Sequence, residues 1–210
     1  MSKSWQVAKK NEHYYKSAKK ENYRSRASYK LIQLNKKFKL IKEGYHVVDL
    51  GAAPGGWSQV ALTLVGETGK VIGVDLQRIK PFDEDNFIGI RGDFTTDEIQ
   101  EEILSKTDER IDIIISDAAP SLTGIKDIDQ LNSMDLANNV MRIASNLLKP
   151  KGNLVMKSFQ GPQYPRLLKK LNGEFKVVKT YKPESSRNAS AEMFIIGLGY
   201  KNKKWIDLEL

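Results

Sequence analysis

From about Ser25 onward, helix-spaced and strand-like apolar segments alternate along the chain. Ala27, Leu31, Leu34, Phe38 and Ile41 recur at steps of four, three, four and three, which lines one face of a helix. Gly44 closes that element. Strand-like runs follow at His46–Leu50, Val71–Val74, Phe87–Ile90, Ile111–Ile115 and Asn153–Met156. Between them lie helix-compatible stretches at Trp57–Val65, Asp97–Ser105 and Ile128–Leu148. In the longest, Leu136, Val140, Ile143 and Leu147 keep a four-three-four spacing until Pro150 and Gly152 stop it. A helix near Tyr164–Leu171 leads to two final strands, Glu174–Thr180 and Glu192–Leu198. With no long helix between them, they read as an antiparallel addition at the sheet edge. The pattern predicts a doubly wound, mostly parallel α/β sheet in one domain, residues 25–210. Residues 1–24 show no clean apolar stripe and read as an extension in front of it.

Such sheets bind ligands beyond the carboxyl ends of their strands. The polar residues gather there: Asp49 and Gly51 after the first strand, Asp75 after the second, Asp93 after the third, Asp117 after the fourth and Lys157 after the fifth. A single acid at a strand end often does no more than cap a helix, but five successive polar ends are harder to assign to capping. A lysine directly after a central strand is costly unless it emerges at a site. The first loop, Gly51-Ala52-Ala53-Pro54-Gly55-Gly56, lacks the G-x-G-x-x-G spacing and is followed by no Gly-Lys-Ser/Thr. Pro54 has no N–H to offer a phosphate, so dinucleotides and nucleoside triphosphates are disfavoured. Asp75, placed to accept hydrogen bonds from a ribose diol, fits a nucleoside without phosphates, and S-adenosylmethionine is the usual one. Asp93 is placed to meet its adenine amino group.

Charge adds a second partner. Residues 1–39 carry twelve Lys and Arg against Glu12 and Glu21, a net +10 within a chain of net +8, so the remainder is slightly acidic. Trp5, Tyr14, Tyr15, Tyr23 and Tyr29 are interleaved with those charges, which favours nucleic acid over a merely solvated tail. Lys19, Lys20, Arg24 and Arg26 are the expected phosphate contacts. The absence of cysteine excludes disulfides, thiolate nucleophiles and cysteine zinc sites, and two histidines make a His-rich metal centre improbable; no metal is expected. No apolar run approaches membrane-spanning length and no leader pattern precedes the basic segment. A cytoplasmic protein that acts as a monomer, with no membrane partner, is the expectation.

The strings VVDLGAAPGGWSQ, RSRASYKL, SDAAP, MKSFQG and SSRNASAEMFIIG resemble the FtsJ/RlmE family from about Tyr23 to Tyr200. Those proteins are S-adenosylmethionine-dependent RNA ribose 2′-O-methyltransferases. The resemblance implies a Rossmann-like methyltransferase fold, with a seven-stranded sheet and an antiparallel last strand. It also implies a catalytic set of Lys30, Asp117, Lys157 and Glu192, and cofactor contacts at Gly55, Trp57, Asp75, Asp93 and Asp117, to which the loop after the first strand adds Gly51. The implied substrate is a uridine of large-subunit (23S-type) ribosomal RNA, as free RNA or in the large ribosomal subunit. A related branch modifies the tRNA anticodon loop, and the shared motifs do not separate the two.

Chemistry alone asks for similar groups. Methyl transfer to a ribose hydroxyl is an in-line displacement, so positioning supplies much of the rate and a nearby base supplies more. Lys157 is the expected base, with Asp117 orienting it and Glu192 and Lys30 positioning the ribose. Competing readings are a snorkelling surface role for Lys30 and an edge charge at Glu192. For the whole chain the rivals are a small-molecule or protein methyltransferase and a non-catalytic RNA-binding module. The +10 segment opposes the first, and retention of all four charged residues opposes the second. Ser185, Ser186, Arg187 and Asn188 form a polar loop that suits either RNA contact or a plain turn.

Overall fold

The computed structural model describes residues 18, 21–107, 110–120, 123–186 and 190–201. Seven strands form one sheet: β1 His46–Leu50, β2 Lys70–Asp75, β3 Phe87–Arg91, β4 Ile111–Ser116, β5 Leu148–Phe159, β6 Phe175–Tyr181 and β7 Glu192–Tyr200. The helices are α1 Ser28–Phe38, α2 Gly56–Val65, α3 Asp97–Ser105, α4 Lys126–Leu147 and α5 Tyr164–Glu174. The strand order is β3-β2-β1-β4-β5-β7-β6. Five strands pair in parallel, and β7 runs antiparallel to both its neighbours. The expected antiparallel pair therefore sits differently from a simple edge addition. β7 is inserted between β5 and β6, and β6 becomes the edge.

Both sheet faces are covered, which is why the central strands are apolar throughout rather than alternating. One face packs Val48, Leu50, Ile114, Leu154 and Met156 against Ile103 of α3, Val140 and Leu147 of α4 and Leu167 and Leu171 of α5. The other packs Val47, Ile113, Ile115, Val155, Phe194 and Ile196 against α1 and α2 through Leu31, Leu34, Trp57 and Ala61. Burying each such aliphatic side chain contributes about 1.5–3 kcal/mol.

This alternation decides where the charged residues go. Ile113 and Ile115 face α1 and α2, so two residues on Asp117 faces the same way. Val155 places Lys157 there, and Phe194 and Ile196 place Glu192 there. The register aligns Lys157 with Phe194 and Phe159 with Glu192.

Two boundaries differ from the sequence reading in ways that bear on the site. The first helix stops at Phe38 rather than continuing through Ile41. Lys39 turns left-handed at φ 54°, and the Asn35 side chain accepts from the N–H groups of both Leu40 and Ile41, 2.9 Å each. Ile41 is buried all the same, reached by a turn instead of a helix. The fifth strand continues through Phe159 instead of ending at Met156, because β7 supplies a ladder partner for Lys157, Ser158 and Phe159. Lys157 thus sits in a strand held on one edge by β7, not in a loose loop.

Candidate active site

Four charged groups converge at the tops of β4, β5 and β7 beneath α1. Lys30 Nζ lies 3.2 and 3.3 Å from the two carboxylate oxygens of Asp117, and 3.0 and 3.1 Å from those of Glu192. Lys157 Nζ is 3.0 Å from Asp117 Oδ1 and donates a further hydrogen bond to the Asp117 backbone carbonyl. All four expected catalytic residues are therefore in one cluster of two cations and two anions. Lys30 does not snorkel: it is only 9% exposed, and its ammonium lies 5.4 Å from the centroid of the Phe194 ring. Glu192 is not an edge charge, since β7 is an interior strand and its carboxylate meets Lys30.

Glu192 is oriented from its other side by a contact the sequence left open. Ser186 Oγ donates to Glu192 Oε1 at 2.7 Å, and the preceding Ser185 N–H donates to Gln33 Oε1 of α1 at 3.2 Å. The described part of that polar loop is a brace between α1 and β7; Arg187 and Asn188 lie outside the described residues. Burial pushes the Glu192 carboxyl up, but Lys30, the Ser186 hydrogen bond and Lys157 outweigh it, so the net displacement is below the ordinary glutamate value.

Beside the cluster, the Gly-rich loop borders an open cavity of about 180 Å3 lined by Asp49, Gly51, Ala52, Trp57 and Asp117 with Ser25 and Ala27. The glycines are required by geometry. Gly51 has φ +76°, and a Cβ there would stand 2.7 Å from Ala118 Cβ. Gly55 has φ +106° and caps α2 in a left-handed conformation that other residues rarely adopt. Trp57 packs against Phe194, ring centroids 5.6 Å apart, and its indole N–H donates to the Ala27 carbonyl at 2.8 Å.

Asp49 belongs to the site although the sequence reading placed it only at a strand end. It is fully buried in the cavity wall and accepts a 2.7 Å hydrogen bond from Ser58 Oγ. Burial pushes its carboxyl up, against the Ser58 hydrogen bond and with help from Asp117 and Asp75, to about 7. The signal in the sequence is an acid breaking the otherwise apolar run Val47–Leu50.

Asp75 and Asp93 stand at the tops of β2 and β3, outside the lining of that cavity. Asp75 Oδ2 accepts from the Ala53 N–H at 2.9 Å and Oδ1 from the Gln77 N–H at 2.8 Å, so it ties the glycine loop to the next one. Asp93 is exposed, and its Oδ1 accepts from the N–H and hydroxyl of Thr95 at 2.9 and 2.7 Å. The residues present fit S-adenosylmethionine. Asp49 and Asp117 in the cavity wall match the positive charge of its sulfonium and ammonium groups, Asp75 retains lone pairs for its ribose, and no phosphate cradle is needed.

Arg24, an expected phosphate contact, has its guanidinium donating to the carbonyls of Lys80 and Pro81 at 2.5 Å each and to that of Pro54 at 3.5 Å. Lys19 and Lys20 lie outside the described residues, and Arg26 precedes α1, its carbonyl accepting from the Tyr29 N–H at 3.3 Å. Among the described residues no cluster of candidate metal ligands forms, and no helix is long and apolar enough to cross a membrane.

Comparison with known proteins places the chain in a family. The chain is 64% identical over 97% of its length to ribosomal RNA large subunit methyltransferase E of Methanobrevibacter smithii, covering 97% of that protein. It is 60% identical to the protein of the same name from Methanothermobacter thermautotrophicus, covering 98% of each. Among solved structures, a Plasmodium falciparum chain described as a ribosomal RNA methyltransferase superposes with a TM-score of 0.75 at 31% identity, over 85% of this chain and 98% of that one. Aeropyrum pernix fibrillarin, solved with natively bound S-adenosylmethionine, shares the fold with a TM-score of 0.60 at 21% identity, over 81% of this chain and 76% of that one. The FtsJ-like methyltransferase model matches residues 23–200, which takes in every element described above: the chain belongs to that family, and its methyl donor is S-adenosylmethionine.

Proposed function

We propose that this enzyme methylates a ribose 2′-hydroxyl of RNA, at a uridine of large-subunit ribosomal RNA, acting as a monomer in the cytoplasm. The observation that carries the reading is the largely shielded Lys30–Asp117–Lys157–Glu192 cluster beside a cavity suited to a cationic nucleoside. A ribose hydroxyl is a weak nucleophile until its proton is removed, and a base held in place supplies roughly 10²–10⁴ in rate. Lys157 in its amine form takes that proton on Nζ. Asp117 aims Nζ through its carboxylate and its carbonyl, leaving the third position of the amine for the hydroxyl. Lys30 and Glu192, locked to each other, border the space where the ribose is held. S-adenosylmethionine, when bound, supplies a methyl group activated by a sulfonium.

The names of the relatives support ribosomal RNA as the substrate. The cationic front end supports a polyanion: Lys19, Lys20 and Arg26 are its phosphate contacts under this reading. The deciding experiment incubates the protein with methyl-labelled S-adenosylmethionine and, separately, ribosomal RNA, large ribosomal subunits and tRNA. Label in a ribose of the large-subunit RNA is expected. Label only in tRNA moves the substrate to the anticodon-loop branch, and no ribose label in any arm ends the proposal.

A further inference from the structure

The segment 22–28 lies directly on the cofactor loop, and one arginine fastens it. The Arg24 N–H donates to Gln59 Oε1 at 2.9 Å, and Gln59 Nε2 returns a 3.0 Å hydrogen bond to the Asn22 carbonyl. Ser28 Oγ donates to the Gly56 carbonyl at 2.9 Å. The fit is close: a Cβ on Gly56 would stand 2.2 Å from Ser25 Oγ, and one on Gly55 would stand 2.9 Å from Arg24 Nη1 and 3.0 Å from Phe82 Cζ. Ser25 and Ala27 of this segment form part of the cavity wall opposite Asp49 and Asp117.

From there the Arg24 side chain reaches across Pro54 to the loop between β2 and β3. Its two terminal nitrogens hold the carbonyls of Lys80 and Pro81, and its guanidinium carbon lies 3.3 Å from the centroid of the Phe82 ring. Phe82 is itself fixed by an edge contact with Phe87 at the start of β3, centroids 4.5 Å apart. One side chain thus joins three pieces of the cofactor site: the roof segment, the Gly-rich loop, and the loop that follows Asp75. A planar fork stacked on an aromatic ring is a geometry lysine cannot reproduce.

We infer that Arg24 is a positioning residue for the methyl donor: it clamps the roof segment 22–28 and the loop 76–86 over the Gly-rich loop, and so shapes the cavity that holds S-adenosylmethionine. Both of its terminal nitrogens are engaged by backbone carbonyls, so its charge serves the cofactor site. The inference rests on the cofactor assignment and is independent of which RNA is modified.

The test uses the full chain with Arg24→Gln, Arg24→Lys and Phe82→Leu, and S-adenosylhomocysteine as the probe, titrated calorimetrically without RNA. Both arginine variants are expected to weaken binding about ten-fold, the worth of roughly one charge-assisted hydrogen bond. Binding of a ribosomal RNA fragment without cofactor stays within about two-fold of the parent, with the same salt slope for Arg24→Lys and Arg24→Gln. In turnover, KM for S-adenosylmethionine rises by a larger factor than kcat falls. Unchanged S-adenosylhomocysteine affinity overturns the inference, whether the variant merely melts earlier or instead loses RNA affinity that lysine restores. If circular dichroism shows the arginine variants unfolded, Phe82→Leu, which keeps the arginine and removes its stacking surface, decides. Weakened S-adenosylhomocysteine binding in that variant upholds the clamp, and parental affinity rejects it.

Discussion

Lys157 Nζ touches Asp117 twice, at the carboxylate oxygen Oδ1 3.0 Å away and at the backbone carbonyl of the same residue. The two strands that carry them are register neighbours, Ser116 beside Met156, so the sheet itself delivers both groups to one point. Each residue faces the α1–α2 side because the apolar residue two positions earlier does. An amine whose position is set by strand register needs no loop closure to be aimed.

Replacing Lys157 by Ala should therefore remove the proposed base without disturbing the cavity, whose lining does not include it. Methyl incorporation should fall by about 10²-fold or more, while S-adenosylhomocysteine affinity changes little. Single-turnover methylation alongside calorimetric titration checks both halves. Turnover retained at the parental rate would take Lys157 out of the role of base.

Much of this is legible in the order of residues, and what is not has physical causes. Strand positions and their polar ends follow from apolar runs, because fully buried parallel strands leave little ambiguity. The placement of β7 does not follow, since a hairpin-like pair can add at an edge or insert a strand, and the choice depends on which ladder β5 offers. The Lys30–Glu192 contact joins residues 162 positions apart. Only the family resemblance connects them, since helix periodicity alone makes Lys30 an ordinary surface lysine. The carbonyl contacts of Arg24 are not legible either: a basic residue among basic residues looks like a phosphate ligand, and the carbonyls it meets come from a loop with no pattern of its own.

The acid limb of stability should report Glu192. Its folded-state ionisation lies below the ordinary value of 4.5, despite a burial cost, because Lys30, Ser186 and Lys157 favour the charged form. A depressed carboxyl contributes stability that is complete above 4.5 and is lost as pH falls from there through the folded value. Glu192→Gln should flatten that limb. Urea midpoints measured from neutral pH downward check it; an acid limb as steep as the parent's would assign the slope to other carboxylates.

Asp49 should act in the opposite sense. Its carboxyl is raised from 3.8 to about 7, so the folded state holds a proton that the unfolded chain has already released. That contribution is complete below 3.8 and declines as pH rises, gone above about 7. Asp49→Asn keeps an acceptor for Ser58 without the buried charge. In the cofactor-free protein it should raise stability at mildly alkaline pH by up to about 4 kcal/mol and by nothing near pH 3.8. Equal effects at both pH values would mean that the gain is not electrostatic.

Charge reversal at Lys19, Lys20 and Arg26 should weaken RNA binding and lower the salt slope by about one for each phosphate no longer neutralised. Filter binding across a salt series reads both quantities. An unchanged slope would place the RNA-binding surface elsewhere on the molecule.

Lys30 separates a structural from a chemical role within the same cluster. It neutralises Asp117 and Glu192 together, and the Lys30 and Glu192 side chains are only 11% and 12% exposed. Lys30→Met keeps the length and packing of the side chain but leaves Glu192 with no cation of comparable closeness among the described residues, and breaking one partner from such a largely buried pair costs up to about 3–5 kcal/mol. The double variant Lys30→Met/Glu192→Gln removes both charges of that pair and leaves Asp117 paired with Lys157, so most of that loss should return. Methyl transfer should not return with it if the two groups position the ribose as proposed. Thermal or urea unfolding of the two single variants and the double gives the coupling, and methylation assays on the same proteins give the chemistry. A double variant that recovers activity along with stability would show that Lys30 and Glu192 only hold the site together.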